Sequence, residues 1–170
     1  MRRLIVILVC VFLFIIDNTL LPFFAVKDYF PSSLFIFIIF YSINSDYWDA
    51  IEIGVISGLL QDLYFCEVIG INPLVNMLLC LLAVVIGDNI FKEKLLIPVM
   101  SLFGLSVLKG ALVFGILYII GMKSDIYSVI FTSLYTMALG IFLYKFTYRL
   151  MQKPFMKKQW KWLCKLNMKK

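Results

Sequence analysis

Three ionisable side chains lie inside stretches apolar enough to cross a membrane, and these are the residues that could carry chemistry: Asp17, Asp62 and Lys109. Counted from one end of each stretch at about 1.5 Å per helical residue, all three fall roughly 20 Å in. A lone charge at that depth in hydrocarbon is costly, so such groups face the interior of a helix bundle and pair there. We therefore predict a cluster of the three, with Asp62 in salt-bridge reach of Lys109. The surplus negative charge predicts that Asp17 is protonated or bonded to a neighbour such as Asn18.

Two roles suit this predicted cluster. As a polar site it would hold a ligand or a proton, and as a structural ion pair it would fix how the helices pack. The chain has no histidine, and neither a second lysine nor a relay accompanies Lys109. The structural role is therefore favoured.

Catalytic and metal-binding motifs are missing from the sequence. The four cysteines, Cys10, Cys66, Cys80 and Cys164, have no CxxC spacing. Together with the absence of histidine, this spacing argues against a zinc site, a haem site and a Cys/His dyad. The sequence also lacks a Walker loop and a nucleophile with a base at workable spacing. We predict a protein that is not an enzyme and that has no cofactor and no metal.

The composition predicts an integral membrane protein. Of 170 residues, 63% are hydrophobic and only 15% are charged, which is far more apolar than an ordinary soluble domain. Residues 1–150 are predicted to form an all-α bundle of about six transmembrane helices. The predicted spans are residues 4–25, 32–43, 48–65, 73–90, 95–120 and 126–148, with the second, about a dozen residues long, being a short span.

The distribution of positive charge predicts the orientation. If the N-terminus is cytoplasmic, thirteen Lys and Arg residues fall on the inner side, while only Lys27 and Lys123 fall outside. Cytoplasmic flanks collect positive charge. An even number of spans with both termini in the cytoplasm is therefore predicted.

Residues 151–170 form a basic amphipathic tail that the sequence predicts to be cytoplasmic. Apolar residues including Trp160 fall on one helical face, and the lysines fall mostly on the other. This pattern favours a helix on an anionic lipid surface, although an ordinary basic anchor without a partner explains it too. Nucleic acid is not a predicted partner. The residues assigned to the lipid surface are Lys157, Lys158, Trp160, Lys161 and Lys165.

A stripe of small residues organises the third predicted helix. Ala50, Gly54 and Gly58 recur every fourth residue and end in Asp62, so they share one face of the helix. Small residues allow the close backbone approach that holds membrane helices together. Gly70, Asn72 and Pro73 then predict a turn and a new helix start.

These residues resemble the rod shape-determining protein MreD family. The resemblance rests on the segment Gly54-x-x-x-Gly58-Leu59-Leu60-Gln61-Asp62-Leu63 and on Gly70-Ile71-Asn72-Pro73-Leu74. It implies a non-enzymatic inner-membrane subunit of the bacterial elongation machinery. The implied partners are MreC, MreB filaments, RodA and penicillin-binding enzymes that make peptidoglycan. It also implies a fold similar to the substrate-binding subunits of energy-coupling-factor vitamin transporters.

A transporter subunit of that energy-coupling-factor type is the alternative function. Such a subunit would offer polar and aromatic side chains on its outer loops to capture a vitamin. The predicted outer loops, residues 26–31, 65–72 and 121–125, are short and mostly apolar. The sequence therefore favours a membrane scaffold.

Overall fold

The computed structural model describes residues 2–19, 23, 32–65, 70–89, 96–121 and 126–152. In these ranges the regular elements are α-helices, without a strand, so the predicted all-α class is confirmed there. Residues 153–170 lie outside the described residues, and the predictions for Lys157, Lys158, Trp160, Lys161 and Lys165 lie there with them. The helices are α1 (Arg2–Thr19), α2 (Ser33–Ile43), α3 (Tyr47–Phe65), α4 (Ile71–Asn89), α5 (Leu96–Ile120) and α6 (Ile126–Gln152).

Helix α2 is the centre of the bundle. All eleven of its residues are buried, and it packs against each of the other five described helices. Its sequence, SLFIFIIFYSI, is apolar on every side, as expected for a helix that is enclosed all round. At about 1.5 Å per residue it is roughly 16 Å long, about half the hydrocarbon thickness of a bilayer.

Glycines set the spacing between α3 and α4, the pair with the most extensive contact in the described bundle. A Cβ added to Gly54 would lie 2.8 Å from the Met77 Cα, and one added to Gly58 would overlap the backbone at Pro73. Ala50 is fully buried one turn earlier on α3. The stripe of small residues thus lies on the face of α3 that meets α4.

The remaining helices complete the enclosure of α2. A Cβ on Gly87 would overlap the α2 backbone at Ile43, and one on Gly140 of α6 would overlap the Leu102 side chain of α5. Helices α5 and α6 are also joined by a 3.3 Å hydrogen bond from the Ser106 hydroxyl to the Ser133 hydroxyl. Helix α1 packs only on α2 and α3 among the described helices.

Two of the described helices are long and apolar enough to cross a membrane. These segments are Ile71–Asn89 and Pro98–Ile120, and Ser33–Ile43 and Phe131–Tyr144 are shorter apolar helices. Large apolar side chains such as Leu63 and Phe142 point away from the bundle, 79% and 77% exposed. An apolar outer surface suits a protein whose solvent is lipid. The number of spans and the membrane side of each terminus stay predictions.

Candidate functional site

Asp17, near the end of α1, caps the N-terminus of α2. Its Oδ1 accepts from the Ser33 backbone N–H at 2.9 Å, and its Oδ2 accepts from the Leu34 N–H at 3.0 Å. These N–H groups have no partner within their own helix. A carboxylate at this position also complements the positive end of the helix dipole. Asp17 therefore fixes where the central helix begins.

Ser32 completes this cap and connects it to α3. Its hydroxyl donates to Asp17 Oδ2 at 3.0 Å. It accepts from the Phe35 N–H at 3.2 Å and from Gln61 Nε2 at 3.1 Å. A hydroxyl has one donor and two acceptor positions, so Ser32 uses its full capacity.

Gln61 joins four helices through its amide. It is only 6% exposed, and its Nε2 donates to Ser32 at the start of α2. Its Oε1 accepts from Asn76 Nδ2 of α4 at 3.0 Å and from Lys109 Nζ of α5 at 2.9 Å. Both ends of one side chain on α3 are thus bonded to three neighbouring helices.

Lys109 reaches this amide from a half-buried position. Its ammonium lies 4.4 Å from the centroid of the Phe35 ring, in cation–π geometry. Contact with a ring face and with a carbonyl oxygen stabilises a cation that is partly removed from water. Lys109 and Asp17 therefore belong to one set of hydrogen-bonded groups, linked through Ser32 and Gln61.

Asn76 and Ser57 extend this set along the α3–α4 contact. Asn76 is fully buried, and its Nδ2 lies 3.5 Å from the Ser57 hydroxyl. Ser57 in turn donates to the Gly54 carbonyl at 3.0 Å. We call the connected residues the polar network; its members are Asp17, Ser32, Ser57, Gln61, Asn76 and Lys109.

The structure corrects the predicted pairing of Asp62 with Lys109. Asp62 is buried, but its Oδ2 accepts from the Gly70 N–H. Its Oδ1 accepts from Asn72 Nδ2 at 2.9 Å and from the Asn72 N–H at 3.3 Å. The carboxylate thus caps the turn into α4, while the Lys109 ammonium bonds to Gln61. Adjacent helical residues point about 100° apart, so a common depth did not bring Asp62 to Lys109.

The bonds of Asp17 come from other neighbours than Asn18, the example that the prediction gave. Asn18 Nδ2 donates to the Phe14 carbonyl of its own helix at 2.8 Å, and the donors to Asp17 come from Ser32, Ser33 and Leu34. The residues at the start of α2 are better placed, because their backbone N–H groups need an acceptor.

The other residues of the predicted motif have separate positions. Gly70 has φ +109°, a left-handed conformation that favours glycine, and it lies in the turn that Asp62 caps. Pro73 lies in the first turn of α4 against Gly58. Leu59 is 48% exposed and points away from the polar network.

Sequence reasoning missed Ser32, Ser57 and Asn76, and it placed Gln61 in the motif but not in the polar cluster. A serine immediately before an apolar helix is a recognised N-cap signal, so Ser32 could have been found. Asn76 is an amide within an apolar stretch, where a polar group needs a partner. Charged residues drew the prediction, whereas uncharged ones make most of the bonds.

The polar network is organised for holding helices. Its hydrogen bonds run between α1, the start of α2, α3, α4 and α5, which fixes five helices relative to one another. Within the described ranges, His, Cys, Asp and Glu form no group of three that could hold a metal ion. The structural role that the sequence favours for its predicted cluster stays a prediction.

Comparison with known proteins adds the family. A family model described as rod shape-determining protein MreD matches residues 1–154. Neither the curated proteins nor the solved structures gave a match. The matched range covers all six described helices, which is far more than half of the chain. The chain therefore belongs to the MreD family of rod shape-determining membrane proteins.

Proposed function

We propose that this protein is a non-enzymatic scaffold in the bacterial cytoplasmic membrane, where it organises peptidoglycan synthesis during cell elongation. Family membership supports a role in rod-shape determination. The observation that carries the finer proposal is the polar network, whose bonds through Gln61 hold several helices in one arrangement. A scaffold needs a fixed surface more than it needs a reactive group.

The proposed direct partner is MreC. MreB filaments, RodA and a penicillin-binding protein are further proposed partners, which the chain contacts either directly or through MreC. We place the partner contacts within the membrane, on the outer faces of the described helices, which are mostly apolar. Exposed side chains on α1, for example, include Leu4 and Leu8, each 71% exposed. Membrane helices associate through packing of such faces and small residues.

Complementation of cell shape tests the proposal. In rod-shaped cells depleted of their own MreD-family protein, expression of this chain should restore rods, and the Gly58→Leu variant should leave rounded cells. The matched control is Gly104→Leu, since a Cβ on Gly104 meets nothing within 4 Å. Both variants are quantified in membranes by immunoblot.

Co-purification tests the partner assignment. The tagged wild-type chain should retain MreC after solubilisation in mild detergent, and Gly104→Leu should retain it equally. Restored rods without retained MreC would remove MreC from the proposal. Failure to restore rods at wild-type expression, in cells matched to the source of the chain, would reject the scaffold itself.

A further inference from the structure

Helices α1 and α5 do not pack on each other within the described bundle, yet a series of hydrogen bonds connects them. Lys109 Nζ of α5 donates to Gln61 Oε1 of α3 at 2.9 Å. Gln61 Nε2 donates to the hydroxyl of Ser32, the N-cap of α2, at 3.1 Å. That hydroxyl donates to Asp17 Oδ2 of α1 at 3.0 Å. We call these four residues the α5–α1 link.

Every bond of the α5–α1 link points in the same direction, and each bond fixes the next. Gln61 Oε1 accepts from Lys109 Nζ and from Asn76 Nδ2. The amide must therefore turn its NH₂ group toward Ser32. The Ser32 hydroxyl accepts from two N–H groups, which leaves its single proton for Asp17. A change at Lys109 thus weakens what sets the orientation of every later bond.

The α5–α1 link is almost closed to water. Asp17 is 3% exposed and Gln61 is 6% exposed, and Lys109 is half-buried. In an apolar interior, hydrogen bonds in series strengthen one another, and a polar group that loses its partner is costly. The loss of one bond therefore weakens the next, because water does not replace it.

We propose that the α5–α1 link couples the two helices: the hold of α1 on the bundle depends on Lys109, and Gln61 transmits that dependence. Asp17 holds α1 to the start of α2, so weaker donation from Ser32 loosens α1 at that end. Residues of one hydrogen-bonded network are coupled in this way, whereas distant residues without shared partners act independently. The coupling goes beyond the scaffold function, since a protein that packs on α5 and displaces Lys109 would loosen α1.

Two native cysteines report the release of α1. Cys10 of α1 and Cys80 of α4 are both completely buried and free, and α1 does not pack on α4 in the described bundle. Release of α1 exposes Cys10, whereas general unfolding exposes both thiols. The full chain in mild detergent is treated with N-ethylmaleimide, and mass spectrometry follows the labelling rate at each cysteine. This rate reports the population of the open form.

Lys109→Met should raise the labelling rate of Cys10 at least about twofold, the lower end of coupling within one network, and leave the rate of Cys80 unchanged. In a Gln61→Leu chain the Cys10 rate is already raised, and Lys109→Met should add nothing to it. Ser32→Ala interrupts the link at α2 and should abolish the effect of Lys109→Met in the same way. This second background keeps the test intact where Gln61→Leu does not fold.

The matched control is Ser106→Ala. It removes a hydrogen bond from α5 to Ser133 of α6, which is not part of the α5–α1 link. The labelling rate of Cys10 should stay at the wild-type value in this variant.

Three results would overturn the coupling. A wild-type rate at Cys10 in the Lys109→Met chain would show that α1 does not depend on α5. An equal increase with and without Gln61 would show that the effect reaches α1 by another route, such as the contact of Lys109 with the Phe35 ring. A joint rise at Cys10 and Cys80 would show that Lys109→Met loosens the whole bundle.

Discussion

Gln61 connects the described helices, because groups from α2, α4 and α5 bond to its one amide. Replacing it with leucine should lower the free energy of unfolding by about 3 kcal/mol, since Ser32, Asn76 and Lys109 each lose a buried partner. Unfolding by a denaturing detergent, followed by circular dichroism, measures the change. The control is Asn89→Leu, which removes an exposed amide that bonds only to its own helix at Val85. Equal losses in the two variants would mean that the network adds no stability.

Gln61→Glu provides a second readout of the same contact. A carboxylate beside the Lys109 ammonium keeps an acceptor for the lysine but loses the donor to Ser32. Its stability should therefore lie between that of the wild type and that of Gln61→Leu. This ordering separates loss of hydrogen bonds from a change of shape, because Glu and Gln are nearly identical in size.

Asp17 should matter as a cap of α2. Asp17→Ala leaves the N–H groups of Ser33 and Leu34 without their acceptor inside an apolar bundle, so a loss of about 2 kcal/mol or more is expected. Asp17→Asn keeps one carbonyl oxygen and should lose less. Thr19→Ala is the control, since the Thr19 hydroxyl is exposed and bonds only to the Ile15 carbonyl. If Asp17→Asn were as damaging as Asp17→Ala, charge rather than capping would be the contribution of Asp17.

At the scale of elements, the glycines of α3 divide by what they face. Gly58→Ala should destabilise the protein by about 1–3 kcal/mol, because the new methyl group overlaps the α4 backbone at Pro73, which cannot move as a side chain can. Gly54→Ala should destabilise less, since its Cβ would lie 2.8 Å from the Met77 Cα. The measurement is the midpoint of thermal unfolding in detergent.

Gly104→Ala on α5 is the matched control for this series. A Cβ there meets nothing within 4 Å, so the substitution should stabilise the helix by about 0.5–1 kcal/mol through its higher helix propensity. The opposite signs expected at Gly58 and Gly104 make the comparison independent of any general effect of alanine. Destabilisation at Gly104 similar to that at Gly58 would contradict the assignment of the stripe to the α3–α4 contact.

The elements were more predictable than the contacts between them. The apolar composition predicted helices, which the described residues form, and the spacing of Gly54 and Gly58 indicated a packing face. The rotation of each helix about its own axis decides which of its residues face a neighbouring helix. This rotation was not predictable, because it depends on the packing of all faces of the helix together. Gln61 and Asp62 are adjacent, yet one bonds to Lys109 and the other to the turn at Gly70 and Asn72.

Helix α2 shows the same limit. Its sequence predicted an apolar segment of about a dozen residues, but apolar residues alone do not distinguish a short span in lipid from a helix enclosed by protein. Its complete burial follows from packing against five other helices. The sequence did not reveal Asp17 as a cap of α2, because Asp17 lies fifteen positions before Ser32 in the chain.

At the scale of the whole molecule, the polar network and the Arg3–Glu52 ion pair lie in different parts of the bundle. The polar network lies near the ends of α1 and α3, near the starts of α2 and α4, and about halfway along α5. The Arg3–Glu52 pair lies at the other end, where α1 and α3 begin. Helices α1 and α3 thus run opposite to α2 and α4, as expected for a chain that crosses the membrane repeatedly. The side of the membrane on which the termini lie stays a prediction from the distribution of charge.

Cysteine accessibility tests that topology directly. Lys27→Cys and Lys170→Cys are each introduced into a chain in which Cys66 and Cys164 are replaced by serine. Cys10 and Cys80 are retained, because both are completely buried. In intact cells a membrane-impermeant maleimide should label the cysteine at position 27 and not the one at position 170. Permeabilisation should then expose position 170, as the excess of positive charge on the inner side requires.

The control is the chain that has Cys66 and Cys164 replaced by serine and carries no added cysteine. Labelling of its buried Cys10 or Cys80 would report unfolding and not topology. Equal labelling of positions 27 and 170 in intact cells would place the two on one side. The number of spans between them would then be even, and the thirteen-to-two distribution of Lys and Arg between the sides would no longer hold. A bundle with its central helix enclosed by protein still folds in that case, but the basic residues 153–170 would then face the outside, away from cytoplasmic filaments.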